Sequence, residues 1–184
     1  MRKVLYIMGI LSDTDLEWLA GRGVTRNISA GTTLIHVGVP IDSFYIVLDG
    51  RLSVITGMSG DETASLGCGE MLGEISFVDS RPPSASVVAV VSSQVLEVPR
   101  DVLKEKLASD TQFASRFYQS VATLLADRLR TTVATLGYEG RREKVPEPQY
   151  DPEAFDDTWM ENISFAASRF DQLLRRLGVR ASIA

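Results

Sequence analysis

Gly73-Glu74-Ile75-Ser76-Phe77-Val78-Asp79-Ser80-Arg81-Pro82-Pro83-Ser84-Ala85-Ser86-Val87 organises the rest of the chain. Its Gly-Glu pair opens a short helix. A tight Arg-Pro-Pro turn follows, and Ser-Ala-Ser-Val begins a strand. Backbone amides, one carboxylate and small hydroxyls then surround one small hollow. The stretch reads as the ligand cassette of a small-molecule sensor.

Outward from the cassette, residues 24–98 read as short strands with glycine turns. Val24–Ile28 is one, and Gly31 follows as a turn. Thr32–Val37 is rich in β-branched residues and is broken by Gly38-Val39-Pro40. Phe44-Tyr45-Ile46-Val47-Leu48 is a nearly continuous apolar run, as expected of a strand buried on both faces. Asp49-Gly50 predicts a type I′ hairpin, a turn that needs positive φ at both central residues. Arg51–Ile55 alternates, and Glu62–Leu66 is a further strand. Beyond the cassette, Ala85–Val91 and Gln94–Val98 are two strands split by Ser92-Ser93. The spacing leaves no room for crossover helices, so the fold class is mainly β, an antiparallel jelly-roll β-barrel.

Helices flank the strands. Ser12-Asp13-Thr14-Asp15 predicts a helix start with Ser12 as N-cap and Asp15 at N3, followed by Leu16, Leu19 and Ala20 on one face. Trp18 is a core or lid aromatic, and Gly21 and Gly23 end the helix. Arg100–Leu107 is a short helix. A long dimerisation-type helix follows, over about 111–136. Phe113, Phe117, Val121, Leu125, Leu129, Val133 and Leu136 recur every three or four residues, and Leu124 widens the stripe. Such a helix outreaches a small barrel, so its far part is expected to pair with a second copy, giving a homodimer. Residues 137–150 form a charged linker. Asp151-Pro152-Glu153 starts an extra C-terminal amphipathic helix with the stripe Phe155, Trp159, Ile163, Ala166, Phe170, Leu173 and Leu177, closed by Gly178. The barrel, a dimer partner or another protein could cover that stripe. The expected organisation is a domain over 1–136, a linker, and a helical extension over 151–184.

The bulk numbers exclude several classes. The net charge is −5, from 24 acidic and 19 basic residues, which argues against a general nucleic-acid binder. With one cysteine, Cys68, no internal disulfide can form, and with one histidine the usual zinc sets cannot be assembled within the chain. Cys68 reads as a small loop or core residue and His36 as a surface or edge-strand residue. No Gly-x-Ser-x-Gly elbow is present. The first 11 residues faintly resemble a signal peptide, but Gly9 breaks the apolar run and Ser12-Asp13-Thr14-Asp15 replaces a cleavage site. No run reaches a membrane span. A cytoplasmic, non-enzymatic protein is expected.

Residues 10–136 resemble the cyclic nucleotide-binding domain of the catabolite-activator and kinase-regulatory-subunit superfamily. The resemblance is carried in order by Gly31 and Gly38, by Phe44-Tyr45-Ile46-Val47-Leu48-Asp49-Gly50-Arg51-Leu52-Ser53-Val54, by Gly73-Glu74-Ile75-Ser76, by Ala85-Ser86-Val87-Val88-Ala89 and by the long helix. It implies an eight-stranded barrel with a cassette helix and a lid or dimerising helix, and a ligand such as cAMP or cGMP. It further implies that Glu74 accepts from a ribose 2′-hydroxyl, and that amides at Gly73, Glu74 and Ile75 face the cyclic phosphate. Ser84 would contact that phosphate, beside Ala85 and Ser86. Thr132, with Thr131 beside it, would contact the base. The arginine that pairs with the phosphate in the family has its place at Pro83. Losing one partner of a desolvated charge pair costs about 2–5 kcal/mol, roughly 30- to several-thousand-fold in affinity. Arg81 either substitutes, since three residues per polyproline turn place it on the side of Ser84, or is a solvated turn residue. Glu74 could also serve simply to cap amides of its own loop.

Two functions stay open. The chain is a sensor of a small anionic ligand, signalling through its C-terminal helices, or a degenerate domain acting as a dimeric scaffold. A transcription factor would need a helix-turn-helix, and residues 141–184 offer one long helix with acidic residues outnumbering basic ones.

Overall fold

The computed structural model describes residues 8–56, 61–138 and 157–179. In chain order the elements are α1 (Asp13–Arg22), β1 (Val24–Ile28), β2 (Thr33–Ile35), β3 (Ser43–Asp49), β4 (Leu52–Thr56), β5 (Asp61–Leu66), β6 (Met71–Leu72), α2 (Glu74–Asp79), β7 (Ser86–Ala89), β8 (Ser93–Pro99), α3 (Arg100–Ser109), α4 (Thr111–Tyr138) and α5 (Asp157–Arg176). The strands form two four-stranded sheets, ordered β1-β8-β3-β6 and β2-β7-β4-β5. Every pairing is antiparallel. This is the jelly-roll class that the strand spacing predicts.

The apolar run in β3 is buried on both faces, as expected. Phe44, Ile46 and Leu48 point toward the helices, and Tyr45 and Val47 point between the sheets. The inter-sheet core is completed by Ile28, Ile35, Leu52, Leu66, Leu72, Val87, Ala89 and Val95. On the other side, Phe117 of α4 meets the Phe44 ring at 5.4 Å and the Phe77 ring at 5.7 Å, both edge-on, a favoured aromatic arrangement.

Asp49-Gly50 is not the tip of a hairpin. β3 pairs with β6 and β8, whereas β4 pairs with β5 and β7, so the chain changes sheets at Gly50. The glycine is still obligatory. Its φ is +91°, and a Cβ there would sit 2.3 Å from Ser93 Oγ. Ser93 Oγ accepts from the Arg51 N–H at 3.1 Å, and that contact fixes the corner. β2 is also shorter than the expected Thr32–Val37, because its flank turns away to bond the cassette loop.

Ser12 caps α1 in the reciprocal arrangement its sequence predicts. The Asp15 N–H donates to Ser12 Oγ at 3.2 Å, and the Ser12 N–H donates to Asp15 Oδ2 at 2.8 Å. Asp15 also accepts two bonds from Arg116 of α4, at 2.6 and 2.9 Å. The α4 stripe divides. Phe113, Phe117, Val121 and Leu124 are buried, while Leu129 and Val133 are 64% and 59% exposed. The Leu136 side chain lies outside the described residues.

α5 packs against α1 of its own chain. Ala166, Leu173, Leu174 and Val179 are buried there. Arg169 donates to Asp13 at 2.9 Å and to the backbone carbonyl of Gly9 at 3.0 Å. Gly178, at positive φ, ends the helix in a Schellman arrangement, with the Val179 N–H donating to the Leu174 carbonyl. The expected helix start at Asp151-Pro152-Glu153 and the side chains of Phe155, Trp159 and Ile163 lie outside the described residues. No described helix is long and apolar enough to cross a membrane.

Candidate functional site

Gly73 positions the cassette. It precedes α2 with φ +83°, and a Cβ would come within 2.8 Å of Ile41 Cδ1 and 3.1 Å of the Ser43 carbonyl. A side chain there would push the cassette helix off β3. Glu74 follows directly, and 2% of its surface is exposed.

The Glu74 carboxylate is ion-paired with Arg128, which reaches down from α4. The other end of the same guanidinium donates to the Met71 carbonyl at 3.0 Å and lies 4.0 Å from Glu70 Oε2. Burial pushes the Glu74 carboxyl above the usual carboxylate range; Arg128 opposes that and Glu70 adds to it. One cation therefore stands between two buried carboxylates and ties the long helix to the cassette.

The remaining sequence-derived residues are spread around this pair. Ile75 lies on the outer face of α2, half exposed. Arg81 is turned to solvent, with 83% of its side chain exposed; its Nε is 3.8 Å from Asp79 Oδ2, and its backbone N–H donates to Asp79 Oδ1 at 2.9 Å. An exposed pair of this kind is worth about 0–1 kcal/mol. The Pro83 carbonyl accepts from the Gly38 N–H at 2.8 Å, and Ser86 Oγ accepts from the Val37 N–H at 3.0 Å, so the cassette turn is stitched to the loop after β2. Ser84 is exposed and Ala85 half-buried. Thr131 and Thr132 are exposed and donate to the Asp127 and Arg128 carbonyls one turn back, at 3.0 and 2.9 Å. Glu74 thus meets α4 through Arg128 and Gly73 lies against Ile41 and Ser43, while Pro83 and Ser86 meet the loop at 37–38.

Sequence reasoning missed Arg128 and Glu70. A signal was present: Arg128 lies four residues before Thr132, on the same face of one helix.

Residues 25–110 match the family model described as cyclic nucleotide-binding domain. An uncharacterised NTE family protein of Mycobacterium tuberculosis is 28% identical over 119 residues, covering 65% of this chain and 20% of the relative. The chain therefore spans about a fifth of the length of such curated relatives. Among solved structures, the N-terminal domain of a transcriptional regulator from Streptomyces coelicolor A3(2) is 27% identical with a TM-score of 0.56, over 70% of this chain and 94% of that one. A cyclic nucleotide-binding domain from Methylobacillus flagellatus shares the fold with a TM-score of 0.67 at 22% identity, over 80% of this chain and 85% of that one. With the cassette, the sheet order and the long helix in place, residues 25–110 are similar to the cyclic nucleotide-binding domain family in sequence and in fold.

Proposed function

We propose that the chain is a non-enzymatic regulatory sensor. It takes up a small anionic ligand, a cyclic nucleotide such as cAMP or cGMP or a relative, and signals through α4 and α5. The Arg128–Glu74 pair carries this reading, because one bond is shared by the cassette and the long helix. An anion entering the cassette competes with Glu74 and Glu70 for that guanidinium. α4 then responds, provided the ligand binds its two positions with different affinity. Gly73, Ile75, Ser84, Ala85 and Ser86 line the cassette in this reading, with Thr131 and Thr132 above it. Arg128 supplies the positive charge that Pro83 does not, and Arg81 supplies it poorly from solvent.

Isothermal titration of the full chain with cAMP and cGMP tests the reading. Binding should fall at least 30-fold in Arg128→Gln, the lower end of the cost of losing one partner of a desolvated charge pair, about 2–5 kcal/mol. Absence of heat and of thermal shift at millimolar ligand overturns it.

A second reading has its own support. Arg128 already occupies Glu74, and the Thr131 and Thr132 hydroxyls donate into their own helix. On that reading the domain is a scaffold that binds no cyclic nucleotide, and Glu74→Ala leaves its function intact. Both readings place a homodimer on the exposed far part of α4. Leu129→Glu with Val133→Glu should convert a dimer to a monomer in sedimentation without unfolding it. A monomeric wild type removes that part.

A further inference from the structure

Arg100 opens α3 where β8 leaves the sheet, and most of its contacts fall on the cassette helix. Its Nη2 donates to the Ser76 carbonyl at 2.8 Å and to Ser80 Oγ at 3.2 Å. Its guanidinium carbon lies 5.6 Å from the centre of the Phe77 ring, within cation–π range. Its backbone N–H donates to the Asp42 carbonyl at 2.8 Å. One residue thus grips the C-terminal end of α2 and the lead-in to β3.

Ser80 shows that the grip holds something. Among the described residues it is the one non-glycine at positive φ, +60°. That backbone region is unfavourable for a residue with a Cβ, and it persists where surroundings impose it. Here the Ser80 N–H donates to the Ser76 carbonyl at 3.0 Å while Arg100 holds its hydroxyl. The grip is also incomplete, since Arg100 Nε is buried and meets no protein acceptor among the described residues.

Phe77 carries the contact onward. Its ring lies under Arg100 on one side and packs edge-on against Phe117 of α4. Arg100, Phe77 and Phe117 therefore form a continuous packed series from the β8–α3 junction through the cassette to the long helix.

We infer that Arg100 is a positioning residue that clamps the end of the cassette helix to the start of α3, so that displacement of the cassette is felt in α4 through Phe77 and Phe117. This deepens the sensor reading by giving it a route, but the clamp itself does not require a ligand. Hydrogen exchange on the full chain without ligand tests it, comparing wild type with Arg100→Gln and Arg100→Lys. In Arg100→Gln, peptides spanning 73–80 should exchange about tenfold faster or more, and those spanning 113–121 should also speed up. Peptides in β3 should not change. Arg100→Lys, which keeps a cation but loses the fork, should fall between; it carries the test if Arg100→Gln does not fold. Unchanged exchange at 73–80, equal acceleration in β3, or loosening of 73–80 without 113–121 overturns the inference. Titration of the wild type with cAMP is a separate arm: its failure removes the sensor reading and leaves the clamp standing.

Discussion

Arg116 and Arg128 leave the same helix three turns apart, and each reaches a buried carboxylate. Arg116 makes a fork with Asp15, which also accepts the Ser12 N–H. Burial alone would raise the Asp15 carboxyl, but the bonds from Arg116 and Ser12 outweigh it and hold it below the usual range. Arg128 offers Glu74 one end of its fork and spends the other on Met71, with Glu70 nearby. There burial wins and the carboxyl is raised. The same pair of residue types yields a rivet between α4 and α1 in one place, and a looser latch between α4 and the cassette in the other. Donor count and the company of a second carboxylate separate them.

The rivet should be the more expensive to break. Asp15→Asn should cost about 3 kcal/mol in chemical denaturation, near the low end for breaking a buried pair because Arg116 is partly exposed. The sign with pH follows. The folded Asp15 carboxyl lies below its unfolded value, so its contribution is present above the ordinary carboxylate range and is lost as pH falls through the folded one. The stability profile of Asp15→Asn should therefore be flatter than wild type on the acid side. A parallel profile would make the rivet no different from a surface pair.

Pro83→Arg sharpens the contrast from the latch side. It offers an anion a cation that Glu74 does not already hold, and should raise cAMP affinity about tenfold, or about 1.4 kcal/mol. Unchanged affinity by calorimetry would count against the placement of the cassette turn.

Glu74→Gln should have the smallest effect, within about 1 kcal/mol, since the charged form is disfavoured by burial and glutamine keeps an acceptor for Arg128. The folded Glu74 carboxyl lies above its unfolded value, so the wild type is penalised as pH rises through the folded value. The variant should gain relative to wild type over that rise. A loss as large as for Asp15→Asn would erase the distinction between the two pairs.

What the sequence disclosed was local. The capping box at Ser12 and Asp15, the doubly buried β3 and the close of α5 at Gly178 all follow from short-range pattern, and each appears in the structure. Asp49-Gly50 had the chemistry of a hairpin turn, yet strand partners are chosen across the whole chain, and Ser93 rather than β4 set the backbone there. Arg128 stayed hidden because an arginine beside an apolar stripe reads as a solvated flank. Its four-residue spacing from Thr132 marks the face it lies on, but not that this face passes over a buried glutamate. The covering of α5 was open for the same reason: an amphipathic face states that it needs a partner, not which one.

The seam between α1 and α5 also has a temporal consequence. Arg169 and Asp13 are separated by 156 positions in the chain. The sheets can close once β8 has been made, and α4 then covers one side of α1 through Phe113 and Arg116, but the side that meets α5 stays uncovered until α5 emerges during synthesis. That side of the helical cap is therefore completed after the sheets and is open to chaperones and proteases in the interval.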